Sequence, residues 1–148
     1  MRAVLQTVKE AAVTVDGECI GAIRRGYLIY LGVGPEDTHE EVVRLWTKIR
    51  KLRVFLDSEG KTNLDLAAVH GNVLLVSQFT LFASIKKGNR PSFATAAPPA
   101  LAENLYKEMV ALIREELPDM QTGRFGADML VSSVNDGPFT LWIDTDEL

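Results

Sequence analysis

A chain of 148 residues fits a single domain, large enough to bury roughly two thirds of the surface that its unfolded form exposes. Sixteen basic against twenty acidic residues leave a net charge of −4, which excludes a protein that wraps long nucleic acid with its whole surface but leaves open local binding of a nucleic-acid end. The lone Cys19 excludes an internal disulfide, no secretory signal is evident at the start, and no apolar run approaches the roughly 20 residues that cross a bilayer. The expectation is one cytoplasmic domain over residues 1–148 without a membrane partner.

Taken in order, Arg2 to Val8 and Ala11 to Val15 alternate like half-buried strands, and Asp16-Gly17 supplies hairpin turn chemistry into a strand over Cys19 to Ile23. The run "GYLIYLGVG", Gly26 to Gly34, is nearly all apolar and predicts a strand covered on both faces. Thr38 with Glu41 forms a capping-box pattern, and Val42, Leu45, Trp46, Ile49 and Leu52 follow at helical spacing, which predicts a helix over about Thr38 to Leu52. A short strand near Arg53 to Leu56, a turn-rich "DSEGKTN" and a buried strand over Asn72 to Phe79 come next.

Between Ala83 and Pro99 the composition is that of a loop. Pro98 and Pro99 suit the first turn of a second helix, with Leu101, Leu105, Met109, Leu112 and Ile113 on one face and Pro118 as its stop. A glycine-punctuated segment then leads into two strands, Val131 to Val134 and Phe139 to Ile143, separated by Gly137 and Pro138. No repeat is evident. The fold class expected is mixed α/β: one layered domain of largely antiparallel or mixed β-sheet with two main helices, in β/β/α layers.

The inventory of reactive side chains is thin. His39 sits in the first turn of a polar-faced helix and His70 in the turn "AVHGN", so both read as surface residues. Two histidines and one cysteine make no zinc ligand set, and Asp57, Glu59 and Asp65 lack the spacing of a calcium loop. No phosphate-binding glycine motif is present, so neither a metal nor a cofactor is expected. What remains is the polar end of a buried strand, Ser77, Gln78 and Thr80. Each needs a hydrogen-bond partner or a ligand, because an unpartnered buried polar group costs about 1–3 kcal/mol. Thr80 as a nucleophile is one reading, although no base stands beside it in the sequence.

Four strings, "SQFTL" at Ser77 to Leu81, "RPSF" at Arg90 to Phe93, "QTGRFGADM" at Gln121 to Met129 and "NDGPFT" at Asn135 to Thr140, together resemble the D-aminoacyl-tRNA deacylases, in the same order and over essentially the whole chain. The resemblance implies an ester hydrolase that removes D-amino acids, and glycine mischarged onto alanine tRNA, from the 3′ end of aminoacyl-tRNA. It also implies a homodimer in which a Gly-cis-Pro corner, here Gly137-Pro138, enters the partner's active site against Ser77, Gln78, Phe79 and Thr80. An X-Pro bond makes the cis form accessible at about 0.5–1 kcal/mol, so the residue types fit that role.

On this resemblance the attacking water is activated with help from the terminal 2′-hydroxyl, and backbone N–H groups around Ser77 to Phe79 hold the oxyanion. Phe125 and Met129 join the substrate-binding set, Phe125 either stacking on the terminal adenine or packing in the core. Lys86, Lys87 and Arg90 are candidate phosphate contacts, as is a second cluster, Lys48, Arg50, Lys51 and Arg53. The chain departs from the family pattern at Thr7, where many members carry an arginine placed near the Gly-Pro corner. The sequence leaves open whether Arg2, Lys9 or a backbone group braces the corner instead. A non-catalytic RNA-binding module and a purely structural homodimer are the rival readings.

Overall fold

Asp16 and Gly17 have φ of 51° and 82°, the conformation that a tight hairpin requires and that these two residue types tolerate. In the computed structural model, which describes residues 1–148, they turn β1 (Arg2–Val15) back onto β2 (Glu18–Ile23). The chain continues through β3 (Gly26–Gly32), α1 (His39–Ile49), β4 (Phe55–Leu56), β5 (Thr62–Leu64) and β6 (Asn72–Ser77). A 3₁₀ turn over Phe79–Phe82 follows, then α2 (Pro99–Glu116), β7 (Gln121–Thr122), β8 (Leu130–Asp144) and a final 3₁₀ turn, Thr145–Glu147.

Several elements differ from the sequence reading. β1 is one strand rather than two: the break in its alternation, at exposed Lys9 and Glu10, marks a shift of register and not an end. β4 is shorter than expected and forms a small hairpin with β5, because "DSEGK" is a hairpin turn, with Asp57 accepting hydrogen bonds from the N–H groups of Glu59 and Lys61. The strand expected to run through Phe79 stops at Ser77 and winds into the 3₁₀ turn. The capping box of α1 forms as expected, Thr38 N–H donating to the Glu41 carboxylate at 2.8 Å and Thr38 Oγ1 accepting from Glu40 N–H at 3.2 Å.

β1 organises the main sheet. Its first half pairs antiparallel with β3 and its second half with β2, while β8 runs antiparallel along its other side. β6 joins β3 in parallel and β7 joins β6 in parallel, which makes the sheet mixed. The sheet curls so that β2 touches β6 and β7. Val8, Val13, Ile23, Leu28, Leu74 and Val76 fill the space between its two halves. The larger core lies on the other face, where Leu5, Ile29, Leu31 and Leu75 meet Leu45, Trp46 and Ile49 of α1 and Leu105, Met109 and Ile113 of α2. The layers are therefore β/β/α.

The two terminal strands predicted from sequence are one strand with an excursion in it. Gln6 lies opposite Thr140 and Val8 opposite Asn135, so two steps along β1 correspond to five along β8. The surplus residues, Asp136 to Phe139, leave the ladder as a bulge. Gly137-Pro138, a cis peptide as the resemblance implied, lies at its exposed tip.

The core makes a stability prediction. Leu75, 1% exposed in β6, should cost about 2–5 kcal/mol when changed to Ala, whereas Leu56, 58% exposed, should cost under about 0.5 kcal/mol. Paired urea unfolding curves with a common slope would check both.

Candidate active site

The polar end of β6 opens into a cavity of about 340 Å³. Leu31 and Val33 from β3 and the residues after it form one wall, and Ser77, Gln78 and Phe79 form the next. Phe93, Ala97, Ala102 and Tyr106 come from the loop before α2 and from α2 itself, and Phe125 closes the side nearest β7. The lining is mainly apolar with a few polar groups at one end, the make-up of a small-molecule site.

Local sequence explains the shape. β6 is buried along Val73 to Val76 and then loses its apolar run, so the chain is released from the sheet at Ser77. Gln78 N–H donates to the Leu31 carbonyl at 2.7 Å, the last ladder bond before the 3₁₀ turn. Gly32 lets that turn sit close: a Cβ there would lie 3.0 Å from both the Gln78 carbonyl oxygen and Leu81 Cβ. Arg2 holds the turn from outside. Its guanidinium lies 4.3 Å from the Phe82 ring centre, donates to the Leu81 carbonyl at 3.2 Å and pairs with Asp144 at 2.8 Å.

The candidate residues separate into those the fold assembles and those it does not. Ser77, Gln78, Phe79 and Phe125 line the cavity, and Thr80 follows on the exposed 3₁₀ turn. Ser77 makes no side-chain hydrogen bond within the chain, yet no buried polar side-chain atom is left unpartnered, so its hydroxyl faces open space. Gln78 Nε2 donates to Thr80 Oγ1 in a short hydrogen bond. An amide is no base, and no other side chain is hydrogen-bonded to Thr80. Of the expected oxyanion donors, Gln78 N–H is already committed to Leu31. Phe79 and Thr80, at the start of the turn, have no side-chain cap over their N–H groups.

Met129 does not join the cavity. It packs against the second core, its sulfur close to Gly123. Lys86, Lys87 and Arg90 are exposed on the loop before α2, outside the cavity lining, and none forms an ion pair. In the other basic cluster Arg50 is paired with Glu116 at 3.0 Å and Arg53 is held by Asn63, while Lys48, Lys51 and Arg53 border one shallow depression. His39 is bonded to Glu108 at 2.9 Å and His70 occupies an exposed turn with φ of 50°, both as expected of surface residues.

Tyr106 is the residue that sequence reasoning missed. It lies one position after Leu105 on the buried face of α2, where it passes for core. Its hydroxyl donates to the Leu75 carbonyl at 2.9 Å, its ring lies 5.9 Å from that of Phe125, and burial pushes its pKa up to about 12. It is thus a neutral wall of the cavity. Phe93, inside "RPSF", meets Phe79 edge-on at 4.9 Å and frames the entrance. Only its place in that string hinted at the role.

The Gly137-Pro138 corner stands apart from this cavity within the protomer. Ser77 is level with Leu31 and Ala3, whereas the corner is level with Thr7. That is four residues along the strands and three strands across, roughly 20 Å over the sheet.

Comparison with known proteins gives this geometry a class. The model of the D-Tyr-tRNA(Tyr) deacylase family matches residues 4–144. The D-aminoacyl-tRNA deacylase of Desulfatibacillum aliphaticivorans is 53% identical over 145 residues, 98% of this chain and 99% of that protein. Those of Clostridium novyi and Thermotoga petrophila are 49% and 47% identical, covering 98% and 100% of this chain and 97% and 99% of theirs. The solved structure of a c-Myc DNA unwinding element binding protein superposes with a TM-score of 0.91 at 41% identity, covering 97% of this chain and 98% of that one. A probable eukaryotic D-amino acid tRNA deacylase shares the fold, with a TM-score of 0.85 at 15% identity over 96% of this chain and 97% of that one. The chain belongs to the D-Tyr-tRNA(Tyr) deacylase family.

The Arg2–Asp144 pair that steadies the 3₁₀ turn carries a pH signature. Burial alone would raise the Asp144 pKa, but hydrogen bonds from Arg2 and from Asp146 N–H, with the charge of Arg2, hold it below the ordinary carboxylate value. A pKa depressed in the folded state contributes stability that is present above the unfolded pKa and is lost as pH falls through the folded one. Asp144→Asn should therefore lower stability at pH 7 and flatten the decline in stability under acid. Urea unfolding from pH 7 to pH 3 for both proteins would reveal it.

Proposed function

We propose that this chain hydrolyses the ester of D-aminoacyl-tRNA, releasing free amino acid and tRNA, and that it works as a cytoplasmic homodimer. The observation that carries this reading is a preformed cavity at the end of β6 that offers backbone donors and small polar groups but no acid–base pair. Such a site suits a substrate that brings its own reactive group, and the free 2′-hydroxyl of the terminal adenosine, adjacent to the ester, is one. In this mechanism it helps activate the attacking water, and the uncapped N–H groups of Phe79 and Thr80 hold the developing oxyanion. Ser77 and Gln78 orient the ester, and Phe125 offers its face to the terminal adenine. Lys86, Lys87 and Arg90 supply phosphate contacts beside the site.

Handedness is selected by exclusion. L- and D-aminoacyl esters carry the same groups and differ in which side of the α-carbon the side chain occupies, so a stiff wall on one side rejects the L-form by clash. Glycine has no side chain to reject, and glycyl-tRNA, including glycine mischarged onto alanine tRNA, is accepted. The Gly137-Pro138 corner supplies the wall. Support for its acting from a second protomer comes from its separation of roughly 20 Å from Ser77 of its own chain. Leu130, Val134 and Trp142, 75%, 47% and 51% exposed along β8, offer apolar area for such an association.

A binding-only reading draws on the name of one similar protein, a DNA unwinding element binding protein. One experiment separates the two: hydrolysis of D-tyrosyl-tRNA and L-tyrosyl-tRNA by the purified protein. Turnover of the D-ester, with the L-ester slower by at least about a hundredfold, is expected from exclusion. No turnover of either ester would leave the binding module, and equal turnover would defeat exclusion.

The role of Thr80 is checked separately. Thr80→Val should keep D-ester hydrolysis within about tenfold of wild type, whereas removing a nucleophile costs several orders of magnitude. Replacing the terminal adenosine of the substrate by its 2′-deoxy form should instead abolish single-turnover hydrolysis.

A further inference from the structure

We propose that Thr7 is the positioning residue of the Gly137-Pro138 corner and that its hydroxyl sets how strictly the corner discriminates between enantiomers. The inference rests on the reading of the corner given above.

Thr7 lies on β1 beside the bulge and is 2% exposed, one of very few polar residues so deeply buried in this chain. A hydroxyl in that position requires a partner. Thr7 Oγ1 donates to the Asp136 carbonyl at 2.6 Å, and Asp136 immediately precedes Gly137. Asn135 secures the same loop from the other side. Its Nδ2 donates to the Thr7 carbonyl at 2.9 Å and to the Phe139 carbonyl at 3.1 Å. One amide thus ties both ends of the excursion to β1, while the threonine hydroxyl holds the residue nearest the tip.

The other groups in reach do less. Lys9 approaches Asp136 at 3.9 Å, but its side chain is 69% exposed and that of Asp136 is 40% exposed, so solvent screens the pair. Gln6 bonds Thr140 at 3.2 Å, beyond the bulge and at the surface. Arg2 is committed at the far end of β1 to Asp144 and the Leu81 carbonyl. The brace is a short neutral hydrogen bond from a buried donor to a half-buried carbonyl, so salt has little to screen.

Rejection by clash is only as strict as the wall is stiff. Valine has the shape of threonine but cannot donate, so Thr7→Val leaves the Asp136 carbonyl without its buried partner and free to swing toward water. A displacement near 1 Å at a positioned site changes rates by about a hundredfold. Outward movement of the wall admits the L-side chain.

The test compares wild type, Thr7→Val and Thr7→Ser for kcat/KM on D-tyrosyl-tRNA and L-tyrosyl-tRNA, each with a thermal melt. The proposal expects Thr7→Val to fold and its D-to-L ratio to fall by about tenfold or more, chiefly through faster L-ester hydrolysis. Thr7→Ser, which keeps the donor, should restore the ratio to within about threefold of wild type. A folded Thr7→Val with wild-type discrimination overturns the proposal, as does a Thr7→Ser protein no more selective than Thr7→Val. If Thr7→Val does not fold, Thr7→Cys takes its place, with a thiol that donates weakly, and the same loss of ratio is required. Failure of both to fold beside a folded serine variant would make Thr7 a folding residue and overturn the positioning role. A wild-type protein that leaves the D-ester intact, or takes both esters equally, overturns the underlying reading of the corner before any variant is compared.

Discussion

The pairing of β1 with β8 is the constraint on which the rest of the structure depends. β1 has neighbours on both sides along nearly its whole length, so any mismatch in residue count between it and β8 must appear as a bulge. Between the pairs Gln6–Thr140 and Val8–Asn135, two steps along β1 face five along β8, and the excess is the Gly137-Pro138 corner. The corner is thus a local excursion from a ladder that is otherwise paired from Arg2 to Thr14 apart from one further register shift at Lys9. Flanking pairs, Gln6 with Thr140 and Val8 with Asn135, fix its two ends.

The same sheet sets the position of the cavity. β3 and β6 run in parallel and finish together, so the end of β6 falls where α2 begins and where Phe125 returns beside it. The cavity forms at the end of strands because the chain leaves the sheet there, and N–H groups no longer claimed by a ladder become available to a ligand. This division of labour fits the poverty of reactive side chains. The cavity combines backbone N–H groups and aromatic walls with a tyrosine that burial keeps neutral near neutral pH.

Much of this was legible residue by residue. The Asp16-Gly17 hairpin, the Thr38–Glu41 capping box and the apolar faces of both helices follow from local chemistry, and local chemistry survives folding. Tyr106 and Phe93 were not legible as cavity walls, because a helical aromatic and a loop aromatic look like core and surface until the elements pack. Met129, which the resemblance placed with Phe125 in one string, packs instead against the second core with its sulfur close to Gly123, a separation that only the packing of the turn between them sets.

From its order of residues alone, the chain determined a mixed α/β domain with two helices, a polar strand end at Ser77 to Thr80, and a Gly-Pro interruption, since turn propensity, capping and hydrophobic period act over a few neighbours. Only the tertiary structure decided that two apparent strands at each end are single ones, that their mismatch throws the corner outward, and that buried Thr7 meets Asp136 across 129 positions of sequence. Register between strands so far apart depends on the whole set of contacts that pack the sheet, and no window of neighbouring residues contains it.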